Sequence, residues 1–150
     1  TNQQGNSARN LTDGRDEVGA IRYAFPIYTT LGTEAAADII DIVTLPVGSQ
    51  FLPSLSRISS EACGGTGFTV STIGDGVAGT NATASANRYS ATAVSLVTAA
   101  TAAVTEAAAN AGVPYTVTAA DNTIKAVLAL SSGSVTAGKK VQFVIAYRLP

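Results

Sequence analysis

Every second residue from Val141 to Leu149 is large and apolar: Val141, Phe143, Ile145, Tyr147 and Leu149. Side chains of an extended strand alternate between faces, so this row points one way. Lys140, Gln142 and Arg148 interrupt the other face. The segment is the clearest strand in the chain, and its apolar row is expected to line the core.

The same period recurs upstream in shorter runs that end in Gly, Pro, Asn or Asp. Tyr23, Phe25 and Ile27 share one face, and Pro26, which cannot donate to a ladder, argues for an edge or a bulge there. Further strands are expected over 38–45, 51–60, 67–73, 88–96, 115–119 and 124–130. The 51–60 run is weakened by Pro53 and poor alternation. Val77 to Asn87 has too little apolar bulk for core and reads as a surface excursion. Asp121-Asn122 and Ser131-Ser132-Gly133 read as turns. The stretch 97–111 is mixed: its alanines favour helix and its Thr and Val residues favour strand, and a short helix or turn is the preferred reading. About eight strands with little helix specify an all-β fold, an antiparallel sandwich or barrel of jelly-roll or Greek-key type. No internal repeat is visible.

Residues 1–20 lack any apolar period and read as an extended N-terminal arm, leaving 21–150 as a single β domain. With 150 residues there is no room for a second full domain. Thr1 in place of Met is expected to reflect a trimmed initiator, and the first residues lack the basic start and apolar stretch of a signal peptide. No apolar run reaches the roughly 18 residues of a membrane span.

The composition excludes several chemistries. Nine basic against ten acidic residues give a net charge of −1, which leaves no electrostatic footprint for nucleic acid or an anionic membrane. The chain has no His, so Ser-His-Asp and Cys-His catalysis and His-ligated zinc cannot be built from it. Its single Cys, Cys63, cannot form an internal disulfide; it reads as a small half-buried residue and suits a cytoplasmic assembly route.

The remaining candidates each have a plainer reading. Gly64-Gly65-Thr66-Gly67 resembles a phosphate cradle, but Phe68-Thr69-Val70-Ser71 follows where a helix is required, so it reads as a turn leading into a strand. Asp38 with Asp41, or Asp75 with Asn81, lack the acidic density of a calcium loop. Glu34, Glu61 and Glu106 would need sugar platforms to act on a glycan; with no Trp these are scarce, and the three read as solubilising surface charge. Ser131, Ser132 and Lys139 have the composition of a hairpin rather than of a Ser-Lys dyad. Asn10-Leu11-Thr12 and Asn81-Ala82-Thr83 match the glycosylation pattern, which a Thr-rich chain meets by chance. No enzyme activity, cofactor or metal is expected.

Five segments in order carry a family resemblance over about 20–150: Asp41-Ile42-Val43-Thr44-Leu45-Pro46-Val47-Gly48, Gly67-Phe68-Thr69-Val70-Ser71 leading to Gly74-Asp75, Asn87-Arg88-Tyr89, Ala120-Asp121-Asn122-Thr123-Ile124, and Ala146-Tyr147-Arg148. In these the chain resembles the small β-rich virion proteins encoded beside capsid genes in tailed bacteriophages. Asn87 stands where similar sequences carry an acidic residue, a departure that weakens the reading of the Arg-Tyr pair as a charge contact. The resemblance implies a capsid decoration, or cement, protein on the outer head surface, often a homotrimer, assembled in the host cytoplasm and bound to the major capsid protein. The contact residues expected on this reading are Arg9, Leu11 and Arg15 in the arm, with Arg88 and Tyr89. A head-tail connector, tail or fibre component and a carbohydrate-binding sandwich are the alternatives.

Overall fold

The computed structural model describes residues 20–107 and 114–150. Among the described residues thirteen strands run β1 Ile21–Ala24, β2 Ile27–Thr29, β3 Ile39–Thr44, β4 Gln50–Phe51, β5 Arg57–Ser60, β6 Gly64–Thr66, β7 Thr69–Gly76, β8 Ser85–Ser90, β9 Val94–Ser95, β10 Ala100–Ala103, β11 Thr123–Ala129, β12 Ser132–Val135 and β13 Lys140–Arg148. They form two antiparallel sheets packed as a sandwich, with β12 and β6 as a separate two-stranded ribbon. The fold is thus a sandwich rather than a barrel. The larger sheet orders β1-β13-β5-β10, with β2 and β4 also on β13; the other orders β3-β11-β7-β8, with β9 on β7.

The closing strand is the spine of the first sheet. Its N-terminal half pairs with β2 on one side and β5 on the other, its C-terminal half with β1 and β4. Val141, Phe143 and Ile145 face the core as the alternation requires, where they meet Phe51, Ile58 and Phe68. Tyr147 is half-buried and Leu149 lies just past the strand. Val144 and Ala146 on the other face are also buried, so polar residues mark that face only at its ends.

Several sequence expectations shift. Pro26 splits the first run as expected: β1 and β2 flank it, and its carbonyl accepts from the Phe143 N–H at 2.9 Å. Pro53 divides the 51–60 run more completely, into β4, a 3-10 turn at Pro53–Leu55 and β5. The excursion after Val77 ends sooner than expected, at β8, and the 88–96 run separates into the end of β8 and the two-residue β9. Ser132 and Gly133 lie in β12 rather than in a turn. The expected strand at 115–119 has one isolated bridge, Gln50 to Thr116. The preferred helix within 97–111 is corrected: Ala100–Ala103 is a strand on the edge of β5, and 108–113 fall outside the described residues. An alanine's intrinsic preference for helix is worth less than 1 kcal/mol per residue, so a waiting sheet edge outweighs it. The expected arm, apart from Ala20, also lies outside the described residues.

Glycine is required where β7 bends against β8. The register slips between Ile73 and Asp75, and a Cβ on Gly74 would sit 1.8 Å from the Ser85 carbonyl oxygen. Because that neighbour is backbone, Gly74→Ala is expected to part β7 from β8 and cost about 2 to 3 kcal/mol. Chemical denaturation of the two proteins checks this.

Candidate interaction surface and the internal charge clusters

The two sheets carry charge differently. The strands of the five-stranded sheet hold Asp41, Asp75, Arg88 and Lys125, and these are paired with one another. The Lys125 ammonium is wholly enclosed, 2.6 Å from Asp41 Oδ1 and 2.7 Å from the Thr80 carbonyl oxygen. Asp41 Oδ2 accepts the Gly79 N–H at 2.7 Å. One cation thereby ties the 77–82 loop across the outside of β11.

The second pair lies at one end of the core. Arg88 Nε donates to Asp75 Oδ2 at 2.5 Å, and its guanidinium carbon stands 3.7 Å from the centroid of the Tyr115 ring. Tyr115 donates to Asp121, which also accepts the Thr118 N–H at 2.6 Å and the Thr118 hydroxyl at 2.8 Å. Tyr89 is buried edge-on against Phe51, with centroids 4.7 Å apart. The space beside this cluster is about 10 Å3, too small for a substrate. The arrangement holds the 115–121 loop against β8. Sequence reasoning placed Arg88 and Tyr89 among partner contacts; the geometry gives both an internal task, and Tyr89 shows almost no surface. Arg9, Leu11 and Arg15 lie outside the described residues.

The other candidates resolve into structural parts. Glu34 is not surface charge: it is buried and accepts from the Tyr28 hydroxyl at 2.7 Å and from the N–H groups of Leu31 and Gly32 at 2.5 and 2.9 Å, closing the loop before β3. Glu61 is exposed and accepts the Lys140 N–H at 2.6 Å, and Glu106 is half-buried. Asp38 accepts the Ala35 N–H at 2.7 Å, while Asp41 is held by an ammonium and an amide, which is no environment for Ca²⁺. Asp75 is enclosed with Arg88, whereas Asn81 is exposed on the covering loop. Among the described residues no group of three or more His, Cys, Asp and Glu side chains could hold a metal. Gly64 and Gly65 lie in β6 and pair toward β12, and no helix follows them. Ser131 and Ser132 are exposed. Cys63 is fully rather than half buried, and burial pushes its thiol pKa up, which makes it unreactive.

The carboxylates titrate in opposite senses. Burial pulls Glu34, Asp41 and Asp121 upward, but the hydrogen bonds above, with Lys125 for Asp41 and Arg88 for Asp121, hold each below its ordinary value of 4.5 for Glu or 3.8 for Asp. Burial dominates at Asp75 and raises it despite Arg88. The first three therefore contribute stability that is complete above their ordinary values and is lost as pH falls through the lowered ones. Asp75 works oppositely, because the strain of its buried charge is relieved as pH falls through its raised value. The melting temperature is expected to hold from neutral pH to about 5 and to fall below about 4.5. Glu34→Gln should flatten the upper part of that fall, and Asp75→Asn should steepen it; thermal melts across the pH series decide both.

The six-stranded sheet presents a different outer surface. Register places Ile21, Tyr23 and Ile27 on the face away from the core, opposite Arg148, Ala146 and Gln142 of β13. With Phe25, which stacks on Tyr23 at 6.4 Å between centroids, they make a row in which every member is at least half exposed. Ser59 of β5 and Thr101 of β10 continue the face beyond Gln142. A shallow groove of about 460 Å3 runs between Ile27, Ser59, Glu61, Thr101 and Lys140. The charged residues of this sheet's strands are Arg22, Arg57, Lys140 and Arg148, with no carboxylate, and none of the four has an ion-pair partner among the described residues. The sequence signal for this surface was already present in the Tyr23-Phe25-Ile27 alternation, which marks a common face without saying that it points outward.

Comparison with solved structures places the fold. A chain of the cyanophage Pam1 capsid asymmetric unit matches with a TM-score of 0.58 and 23% identity, over 89% of this chain and 87% of that one. A chain of the capsid of Ralstonia phage GP4 matches with a TM-score of 0.64 and 16% identity, over 89% and 86%. The fold is one that phage capsids contain. No protein-family model matches the sequence, and no curated protein matches it.

Proposed function

We propose that the chain is a non-enzymatic capsid protein of a phage virion, and specifically a decoration protein that binds the outer surface of the major capsid protein shell and stabilises the head. The observation that carries this reading is the likeness in fold over nearly the whole length of chains from two phage capsids. The internal charge clusters are compatible with it, because the polar atoms of Lys125, Asp41, Arg88 and Asp75 are engaged in holding the fold together. A shell protein needs geometrically repeated contacts, and copy number multiplies small gains in each.

In this proposal the copies form a homotrimer, and residues 1–19, with Arg9, Leu11 and Arg15, strap each copy to its neighbours. Ordering such a segment costs about 1 to 2 kcal/mol per residue, so its attachment must be extensive. The decisive experiment adds the purified chain to heads that lack it and images them. Density in trimers over the outer shell, with heads that survive higher temperature, is the expected result. Density confined to the portal, tail or fibres would overturn the decoration role. Deleting 1–19 should leave the melting temperature of the free protein unchanged and lower its occupancy on heads; equal occupancy would reduce the segment to a tail.

A further inference from the structure

We infer that the chain docks through the outer face of its six-stranded sheet, onto a protein surface that combines apolar residues with carboxylates. The inference rests on the proposed capsid role, with the shell as the partner, and it specifies which side of the sandwich meets the shell and what chemistry the shell must offer there.

The first observation is that the two outer faces are finished differently. The five-stranded sheet is covered by its own 77–82 loop, fastened by the enclosed Lys125 to Asp41 and Thr80. The six-stranded sheet has no such cover among the described residues, and Ile21, Tyr23, Phe25 and Ile27 stand half exposed or more in one row. Single exposed apolar residues are ordinary on a soluble protein, whereas a contiguous row marks a surface that binds. Aromatic residues set among apolar neighbours are the usual anchors of such contacts.

The charge pattern selects the partner. Arg57, Lys140 and Arg148 alternate onto this face with Gln142 and Ser59 between them, whereas Arg22, opposite Tyr147, alternates to the other face. No carboxylate occurs in any strand of the sheet, although the whole chain is nearly neutral; Glu61, just past β5, borders the groove beside Lys140, so three cations on the face stand against that one carboxylate. Two copies meeting through this face would oppose cation to cation, which disfavours a second copy as its occupant. An acidic surface meets the same cations favourably. Pro26 interrupts the open edge of β1 and β2 and has no N–H to offer, so the contact is made by the face and not by adding a strand to the edge.

The test measures binding of the full chain to undecorated heads by co-sedimentation, at low and high salt, with three variants. Phe25→Ser combined with Tyr23→Ser should weaken binding roughly thirtyfold or more, the loss expected for aromatic anchors. Arg57→Glu combined with Lys140→Glu should weaken it at low salt and flatten its salt dependence. Val77→Ser, which alters an equally exposed apolar residue over the opposite sheet, should bind as the unaltered chain does. All substituted positions are exposed, and circular dichroism melts confirm that each variant is folded. Wild-type binding by both face variants overturns the docking face while leaving the capsid role standing. Variants that change the oligomeric state of the free protein but bind heads normally overturn it in favour of a second copy. Equal loss with Val77→Ser overturns it by removing its specificity. Failure of the unaltered chain to bind heads overturns the capsid role first, and the docking face with it.

Discussion

Phe143→Ala is expected to lower the melting temperature of the free protein by about 10 to 20 °C, corresponding to about 3 to 5 kcal/mol. Phe143 is 1% exposed and sits in the middle of the spine strand, opposite Ile58 on β5. Removing its ring takes away the transfer free energy of a large side chain and leaves a cavity that cannot collapse, because the backbone around it is pinned. Its own N–H is bonded to Pro26, and its strand has neighbours on both sides. The loss is a large share of the roughly 5 to 15 kcal/mol that holds a domain folded. Gln142→Ala, one residue away on the outer face, should change stability by no more than about 0.5 kcal/mol. Melts of the two variants beside the parent protein check both statements. An unchanged midpoint for Phe143→Ala would mean that the inward face of β13 had been assigned to the wrong set of residues.

That strand was the most legible part of the chain, and the reason is physical. A nine-residue alternation fixes which face is inward without knowledge of any partner, since a one-residue slip would turn every side chain over. Where the sequence was misleading, a distant neighbour decided the outcome. Ala100–Ala103 becomes a strand because β5 offers it an edge 40 residues back in the chain, and no local preference reveals that edge. Tyr115–Ala119 has strand-like composition but meets one bridge, so it remains a loop held by Asp121. Glu34 and Asp75 read as surface charge or as possible ligands when taken singly. Their burial follows from N–H donors and from an arginine that only the folded chain brings within reach. For the proposed docking face, the sequence contains both the apolar row and the excess of cations; the missing information was which face of β1 and β2 is left in solvent.

Lys125 gives the sharpest contrast between local reading and folded environment, and its removal the second large effect. In Thr123-Ile124-Lys125-Ala126-Val127 a lysine reads as the solvated face of a strand. In the fold its side chain has no exposure, because the 77–82 loop closes over it and supplies the Thr80 carbonyl, while Asp41 on β3 supplies the counter-charge. Asp41→Ala should therefore cost about 3 kcal/mol, the lower end of the range for stranding a buried charge, since the site of Asp41 is about one-third exposed and water partly replaces the carboxylate. Lys125→Met should cost less: it removes the buried charge together with its desolvation and keeps most of the volume beneath the loop. The double variant should lie close to Lys125→Met alone, because once the ammonium is gone Asp41 has only the Gly79 N–H left to serve. Denaturant titrations of the three proteins give this order directly. If Lys125→Met were the most damaging of the three, the lysine would be holding the loop through its bond to Thr80 more than through its charge. Amide exchange in 77–82 would then rise in Lys125→Met and remain low in Asp41→Ala.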